Sequence, residues 1–462
     1  MRLHSRSIVS TLTLFLSASA VASLPQTLWM RSLSSGISDY MGSSLASGKL
    51  FLAAGAPWDS EFGPNNGSVL IYRGQYSLQY QQVIWGRWQV GLGGDEQLQF
   101  GYSMAGQDHL LYVGAPGDDD GSGSVIMIDT STSPEPTYVD SIENPASAYL
   151  AINDQFGYSI DIDGDWMVIG APGCMNDSGA AWVFRNTHGS QGWMLHTELV
   201  SPWPQENARF GHDVAIHDGR IAVGAPYRDE LNWWDDSMSA IGAVTIFELD
   251  SQTWGYAWNQ VEWFQASDIR TDNMHYGWSV EVLDHQVFAG APNASHTNGT
   301  ANAGRVHVLT YDSRVDLWYQ SPSLILESDT PHSGMGWGSS ISTKDTTLLI
   351  GAPFADHLND SSGLVTVWCR GEMMWTWHET LECNVHTWKA ALGQAVHIDD
   401  ERALAGAPQA ADGQNDWAGI IAWWDRGLFE CPSFDLDDAR DIKTIDFKRS
   451  LENLQTKKSM NQ

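Results

Sequence analysis

Residues 156–172 read FGYSIDIDGDWMVIGAP, and this stretch decides the fold. A large apolar residue and a glycine open it, Phe156 and Gly157, and Gly-Ala-Pro closes it, with Gly170 thirteen positions after Gly157. Between them apolar and polar residues alternate, the chain turns at Asp-Gly, and an apolar run follows. A period of two predicts a β-strand, and Asp-Gly is a preferred two-residue hairpin connection. The stretch therefore predicts a hairpin of two short strands.

The same hairpin pattern recurs seven times along the chain. Gly-Ala-Pro begins at Gly55, Gly114, Gly170, Gly224, Gly290, Gly351 and Gly406. The glycines thirteen positions earlier are Gly42, Gly101, Gly157, Gly211, Gly277, Gly338 and Gly393. The residues before these glycines are Met41, Phe100, Phe156, Phe210, Tyr276, Trp337 and Leu392. Two positions after the same glycines stand Ser44, Ser103, Ser159, Asp213, Ser279, Ser340 and Ala395. Such recurrence at a fixed offset indicates a repeat architecture.

Each copy continues with two more predicted strands. A glycine opens the third strand, at Gly67, Gly123, Gly179, Gly242, Gly304, Gly363 and Gly419. A fourth strand, often with Trp or Tyr, leads to the next copy. Seven four-stranded antiparallel units, each unable to cover both of its faces alone, predict an all-β, seven-bladed β-propeller.

The residues at the predicted seams fit this architecture. Glycines suit the axis, where inner strands approach closely, and the large residues before them would fill the wedges between blades. The 23 tryptophans have two interpretations, burial between blades or stacking on sugars, and burial is the commoner fate of aromatic side chains.

Closure of the ring needs a fourth strand for the last copy, because an open ring exposes sheet edges. We expect the N-terminal segment Thr27–Leu33 to supply it, and the competing donor is Leu428–Cys431.

Composition limits the partners and the compartment. The 462 residues carry 24 Lys+Arg and 56 Asp+Glu, a net charge of −32, which argues against nucleic acid and against electrostatic docking on membranes. Residues 1–23 have a positive start, an apolar run and small residues at their end, which predicts a secretory signal peptide rather than a membrane anchor. We therefore expect a secreted, periplasmic or cell-surface protein without membrane insertion. Cys369 and Cys383 are near enough in sequence to bridge, although sequence alone does not give the pairing.

The paired motifs resemble the FG-GAP repeats of the integrin α-subunit propeller. They are more similar still to a short-turn version found in secreted, mostly bacterial, repeat proteins. The resemblance covers roughly residues 27–430, which makes residues 24–431 the propeller and 432–462 a charged tail, either a short amphipathic helix or a frayed extension. It implies adhesion or recognition through the face that bears the second-to-third strand loops.

The same resemblance raises the question of calcium. Some integrin blades hold calcium in a loop between the first and second strands. Here only twelve residues separate the paired glycines, too few for two strands and that loop. Asp161, Asp163 and Asp165 look like its beginning, but a hairpin turn with solvated carboxylates is the simpler interpretation. We therefore expect no cofactor.

Two of the second-to-third strand loops hold the candidate binding residues. The longest carries Trp233, Trp234, Asp235 and Asp236, which would either stack on a sugar or a protein partner or cap the blade locally. The other carries the consecutive carboxylates 118–120, a weak candidate for a metal because neighbours on an extended chain point apart. These three residues are Asp118, Asp119 and Asp120.

Five Asn-x-Ser/Thr sequons fall in second-to-third strand loops. They are Asn66, Asn176, Asn293, Asn298 and Asn359. In a eukaryotic protein they would be glycosylation candidates, and in a bacterial one ordinary turn residues.

Catalytic signatures are missing from the sequence, which contains no Gly-x-Ser-x-Gly elbow, no His-Glu-x-x-His and no Gly-rich phosphate loop. We expect a non-enzymatic protein that binds an extracellular protein or glycan. The alternative is a hydrolase or lyase acting on extracellular polysaccharide or lipid, with its site in the central channel. Three or more convergent acidic or His residues at the channel mouth would favour that enzyme. A purely structural surface component is the third possibility.

Overall fold

The computed structural model describes residues 39–431, with gaps at 62, 74–79, 87–96, 133–134, 147–151, 189–191, 231–237, 253–255, 267–270, 357–360, 372–373, 383–388, 411–418 and 430. Seven antiparallel sheets follow one another along this chain, as the sequence predicts. Six contain four strands, and the described part of the seventh contains three. The fold is an all-β, seven-bladed propeller.

The strands of each blade follow in chain order. Blade one holds β1 Ser44–Gly48, β2 Phe51–Ala56, β3 Ser68–Arg73 and β4 Tyr80–Trp85. Blade two holds β5 Met104–Gln107, β6 Leu110–Ala115, β7 Ser124–Asp129 and β8 Thr137–Glu143. Blade three holds β9 Ser159–Asp163, β10 Trp166–Ala171, β11 Ala180–Asn186 and β12 Trp193–Leu199. Blade four holds β13 Val214–His217, β14 Arg220–Ala225, β15 Ala243–Asp250 and β16 Ala257–Phe264. Blade five holds β17 Val280–Leu283, β18 Gln286–Ala291, β19 Arg305–Asp312 and β20 Leu317–Leu326. Blade six holds β21 Ser340–Lys344, β22 Thr347–Ala352, β23 Leu364–Arg370 and β24 Trp375–Leu381. Blade seven holds β25 Ala395–Ile398, β26 Arg402–Ala407 and β27 Ile420–Asp425.

Every blade is a meander in which neighbours in sequence pair in space. The predicted hairpin of blade three pairs Ile160 with Ile169 and Asp163 with Trp166, so the turn lies at Gly164 and Asp165. Two four-residue helical turns, α1 Asp118–Gly121 and α2 Cys174–Asp177, interrupt second-to-third strand loops. In blades two to six the pairing of the third and fourth strands shifts register at a β-bulge. A bulge twists the outer strand, which makes its edge a poorer template for another chain.

The glycines of Gly-Ala-Pro sit where two blades touch backbone to backbone. A Cβ added at Gly170 would lie 2.1 Å from the carbonyl oxygen of Gly211 in the next blade, and the other five seams inside the chain show 2.0–2.1 Å. At the seventh seam the same atom on Gly406 would lie 1.9 Å from the oxygen of Gly42. Since real Cβ atoms do not approach oxygen this closely, only glycine fits these positions.

The third-strand glycines make a second contact between blades. Gly123, for example, forms an isolated parallel bridge with Phe156 of the following blade, and Gly419 of blade seven bridges to Met41 of blade one. Gly123 has φ +88°, in the region that glycine tolerates best. All seven large residues before the paired glycines are at most 1% exposed, which confirms that they fill the wedges between blades.

A serine hydroxyl closes most seams. Ser159 Oγ donates to Gly211 O at 3.0 Å, and four other blades repeat this bond. Those donors are Ser44, Ser103, Ser279 and Ser340, at 2.6–2.8 Å. In blade four Asp213 takes the position and accepts a hydrogen bond from Val280 N of blade five at 2.7 Å. In blade seven the position is Ala395, which has no hydroxyl.

The ring closes through two backbone contacts between blades seven and one, Gly406 against Gly42 and Gly419 against Met41. The expected strand Thr27–Leu33 lies outside the described residues. In the competing segment 428–431, Leu428 ends a 3-10 helix, Arg426–Leu428, and Cys431 forms a disulfide with Cys369 of blade six. The suggested Cys369–Cys383 pairing was therefore wrong. Strand β23, which carries Cys369, lies beside the chain that leaves blade seven, a proximity that sequence spacing hides.

Candidate functional site

The longest loop on the loop-rich face, where the second-to-third strand loops emerge, is described only at its base. Trp233, Trp234, Asp235 and Asp236 lie outside the described residues, so their role stays a prediction. Glu230 N donates to Met238 O at 2.9 Å and closes the base of the loop. Next to it stands Trp203, 62% exposed, whose carbonyl accepts a hydrogen bond from buried Arg228.

The three consecutive carboxylates of blade two do not converge. Asp118 turns inward, where its Oδ2 accepts from Ser124 Oγ at 2.7 Å and burial raises its pKa. Asp119 and Asp120 are exposed and have positive φ. Within the residues that the structure describes, no group of three or more His, Cys, Asp or Glu is placed to hold a metal.

The carboxylates that looked like the start of a calcium loop point toward separate partners. Asp161 Oδ2 accepts from Ile216 N of blade four at 2.7 Å, and Asp163 Oδ2 accepts from Asp218 N of the same blade at 2.7 Å. Asp165 instead contacts His188 within blade three at 2.6 Å. The first two therefore link neighbouring blades.

The described sequons differ in their surroundings. Asn66 is 3% exposed, and the Asn293 side-chain amide contacts His275 Nδ1 at 3.0 Å. Asn176 and Asn298 are exposed on their loops. Asn359 lies outside the described residues. Among the four that are described, Asn176 and Asn298 are the most exposed.

An aromatic cluster at the mouth of the channel is the strongest candidate site. It comes from the residue directly after the first glycine of each copy, where the inner strand begins on the loop-rich face. Blades two to five place Tyr102, Tyr158, His212 and Trp278 there, and we call these four the aromatic arc. Successive ring centroids are 4.6, 5.2 and 4.5 Å apart. Side chains from four consecutive blades approach this closely only near the axis, where the blades converge.

The rings of the arc stand upright in the wall of the mouth. Their interplanar angles from blade to blade are 45°, 51° and 49°. A sevenfold propeller turns each blade by about 51° against the next. Rings lying flat across the axis would remain parallel under this rotation, whereas upright rings turn by the full angle. The observed angles therefore match four upright rings in one orientation relative to their blades.

Ring packing and hydrogen bonds together hold the arc. The Tyr102 and Tyr158 rings pack with centroids 4.6 Å apart, and Tyr158 Oη lies 3.4 Å from His212 Nε2. His212 Nδ1 lies 3.1 Å from the carbonyl oxygen of Trp278, a contact that requires the proton on Nδ1 and leaves Nε2 as the acceptor. Burial lowers the pKa of His212 to about 3, so this imidazole is neutral at physiological pH.

A second layer of rings packs outside the arc at blades four and five. His275 stacks on Trp278 at 5.6 Å with an interplanar angle of 28°, and Tyr227 lies 4.9 Å from His275. The Arg209 guanidinium sits 5.7 Å from the Tyr227 ring and 3.9 Å from Asp177. The part of the mouth at blades four and five thus places aromatic rings beside polar groups, a combination typical of specific binding pockets.

The opposite side of the mouth lacks rings at this position. Blades six, seven and one carry Ser339, Gln394 and Ser43 there. Since the fold is formed equally well with these residues, the position itself does not demand an aromatic side chain.

Carboxyl groups line the channel below the arc. Asp213 follows His212 directly, and Asp161 and Glu281 stand on the inner strands β9 and β17. Glu281 Oε1 accepts from Thr343 Oγ1 of blade six at 3.0 Å. Burial, together with the charges of Asp161 and Asp213, raises the pKa of Glu281 well above its usual value.

The sequence pattern identified the seams and missed the arc. Its residues vary between copies, whereas the search for recurring positions rewards what stays constant. Reading the position after each first glycine down the seven copies gives Ser, Tyr, Tyr, His, Trp, Ser and Gln, and the aromatic run in the middle was the available signal.

Comparison with known proteins agrees with the repeat fold of the chain. The model of the FG-GAP repeat family matches residues 150–184, which run from before the first strand of blade three into its third strand. No curated protein matches the chain.

Proposed function

The chain is an FG-GAP β-propeller, and we propose that it binds an extracellular protein or glycan through its loop-rich face, with the aromatic arc at the centre of the contact. The observation that carries this proposal is the confinement of the arc to blades two to five. Three blades reach the same fold with Ser or Gln at that position, so the rings are not a requirement of the propeller.

The state of the arc also supports binding. Its rings are held by hydrogen bonds and by mutual packing, so a ligand would meet a surface that is already ordered. Pre-ordered side chains lose less conformational entropy on binding, and aromatic residues are frequent anchors at interfaces.

Export is part of the same proposal. The predicted signal at residues 1–23 and the Cys369–Cys431 disulfide both suit an oxidising compartment outside the cytoplasm. The α-helical segments of the described chain, α1 and α2, hold four residues each, and neither is a candidate membrane span.

The test is capture of ligands from arrays of glycans and extracellular proteins by the purified mature chain. The arc variant replaces Tyr102 and Trp278 with serine, the residue that blades one and six carry there. We expect it to lose capture by about tenfold or more while it keeps the circular-dichroism spectrum of the folded wild type. The control is Trp377→Ser, which removes an exposed ring from the outer strand β24.

Two results would count against the arc as the site. Unchanged capture by a folded arc variant moves the contact elsewhere on the face. Loss of capture only in the Trp233→Ala, Trp234→Ala variant assigns it to the longest loop, the site that the sequence favours.

A channel-centred hydrolase or lyase is the second candidate function. The observation that favours it is the set Asp161, Asp213 and Glu281, three carboxyl groups with raised pKa on adjacent blades. A carboxylic acid that keeps its proton near neutral pH suits general acid catalysis. Release of reducing sugar or fatty acid from polysaccharide or lipid substrates, lost in Glu281→Gln, would replace the binding proposal.

A further inference from the structure

The hub of the ring is formed by the inner strands β1, β5, β9, β13, β17, β21 and β25, and four of them carry a polar side chain at one shared position. Four residues after the first glycine of each copy, blades one, two and four carry Ala46, Ala105 and Ala215. Blades three, five, six and seven carry Asp161, Glu281, Ser342 and His397 at the same position.

These polar side chains bond to the next blade in a regular way. Asp161 accepts from Ile216 N, and Ser342 Oγ accepts from Ile398 N at 3.2 Å. His397 Nε2 lies 2.8 Å from Ser47 Oγ of blade one. Each partner stands five residues after the first glycine of its own blade. An inner strand has no further strand on its channel side, and these side chains satisfy backbone and side-chain groups along that edge.

Blade four has Ala215 at this position, but Asp213, two residues nearer the start of its inner strand, supplies a carboxyl group there, so that three carboxyl groups lie on consecutive blades. Asp161, Asp213 and Glu281 bond to blades four, five and six respectively. The charges of Asp161 and Asp213 both act on Glu281, and the charge of Asp161 acts on Asp213, so the three groups sense one another. Like charges enclosed by protein repel more strongly than charges in open water.

Few other charges offset them. The remaining titratable residues of the described inner strands are Asp163, His217, Lys344 and His397. Lys344 belongs to blade six and pairs with Asp400 at 3.1 Å. On the mouth side stand neutral His212, the Tyr158 phenol and Arg209, and Arg209 is held against Tyr227 and Asp177.

We propose that Asp161, Asp213 and Glu281 form a proton-operated clamp, which holds blades three to six together when the carboxyl groups carry protons and loosens when they ionise. Ionisation places up to three negative charges on neighbouring blades of one narrow channel. Because the same strands carry Tyr158, His212 and Trp278, loosening the clamp also loosens the support of the aromatic arc.

The direction of the pH effect follows from linkage. Burial raises the pKa of Asp161 and of Asp213 to about 7, and that of Glu281 rises well above its usual value. In the unfolded chain these groups ionise at about pH 4. The folded state therefore binds more protons between these limits. Its extra stability is fully present below about pH 4 and is lost as the pH rises through about 7.

The test uses a triple variant, Asp161→Asn, Asp213→Asn and Glu281→Gln, in the full mature chain. The amide oxygens preserve the hydrogen-bond acceptors and remove the charges. Between pH 5 and pH 8 the unfolding equilibrium constant of the wild type should rise about tenfold or more beyond that of the variant. The variant should match the wild type below about pH 4 and exceed its stability at pH 8.

Parallel pH dependences of the two proteins, or a variant less stable than wild type at pH 8, would overturn the proposal. The matched control is Asp163→Asn, whose carboxylate also accepts from the next blade but lies beside the exposed turn at Gly164. It should retain nearly all of the wild-type pH dependence, because the charge of Asp163 makes only the smallest of the contributions to the raised pKa of Asp161.

A second measurement locates the effect. Hydrogen exchange, corrected for the intrinsic pH dependence, should show less protection at pH 8 than at pH 6 in peptides that contain Ile216 and Val280. The triple variant should show no such difference. Equal protection at both pH values in the wild type contradicts a clamp at these strands.

Discussion

The seam between blades seven and one joins the two ends of the propeller, whereas the other six seams lie within the chain. In both kinds, the glycine of Gly-Ala-Pro packs against the carbonyl oxygen of the first glycine of the next blade. A Cβ added to the Gly-Ala-Pro glycine would lie 1.9 Å from that oxygen at the closing seam and 2.0–2.1 Å from it at the other seams. They differ in side chains. Five inner seams carry a serine hydroxyl, and the closing seam has Ala395. The comparison teaches that backbone approach defines the seam, and that the hydroxyl is an added stabilisation.

The largest expected effect comes from Gly170→Ala and Gly406→Ala. Each places a Cβ within 2.1 Å of a backbone oxygen, which a small side-chain movement cannot relieve. We expect each to lower the free energy of unfolding by more than about 4 kcal/mol and to yield little folded protein. Circular dichroism and denaturant unfolding measure this. If Gly406→Ala folds normally while Gly170→Ala does not, the closing seam is looser than its geometry indicates.

Removal of the disulfide should have the next largest effect on the free energy of unfolding. Cys369 and Cys431 are 62 residues apart, and a cross-link of that span stabilises a fold by about 4 kcal/mol. Cys431→Ser should lower the free energy of unfolding by that amount. Reductant should destabilise the wild type equally and leave the variant unchanged. A reductant effect of the same size in Cys431→Ser would show that the bond does not contribute.

Ser159→Ala tests the hydroxyl at an inner seam. It removes the buried bond to Gly211 O and should cost about 1 kcal/mol of unfolding free energy. The control is Ser60→Ala. Its hydroxyl donates to Trp58 O and accepts from Asn65 N, and both bonds are exposed to water, so the change should cost little. Equal losses in the two variants would remove the distinction between seam and loop serines.

Ala395→Ser is the reverse experiment and the smallest effect. It gives the closing seam the hydroxyl that five other seams possess, directed at Gly42 O. We expect a gain of about 0.5 kcal/mol in unfolding free energy, measured as a higher denaturant midpoint at unchanged slope. A loss of stability would mean that the closing seam has no room for the oxygen.

The sequence predicted the architecture because its determinants are constant. Gly170 and Gly211 must meet in the same way as every other pair, so the same residues recur at the same offsets. The matching distances at all seven seams show how strictly this contact is repeated.

The candidate site was harder to predict because it depends on differences between copies. Tyr102 and Trp278 occupy one position in two blades that are far apart in sequence, and only the ring brings them to one mouth. Cys431 likewise reaches Cys369 because the chain that leaves blade seven passes beside the third strand of blade six. From the sequence alone, Glu281 cannot be distinguished from an exposed carboxylate, because the groups that surround it come from other blades of the closed ring.

The closing seam also bears on the order of the blades. Gly406 contacts Gly42 in the same way as the two glycines at every other seam contact each other. No blade is therefore distinguished by the structure as the first. New termini cut into the connection between blades three and four, with residues 431 and 24 joined by a flexible linker, should yield a circular permutant with the same ring. In such a permutant the aromatic arc would be assembled from the two ends of the polypeptide.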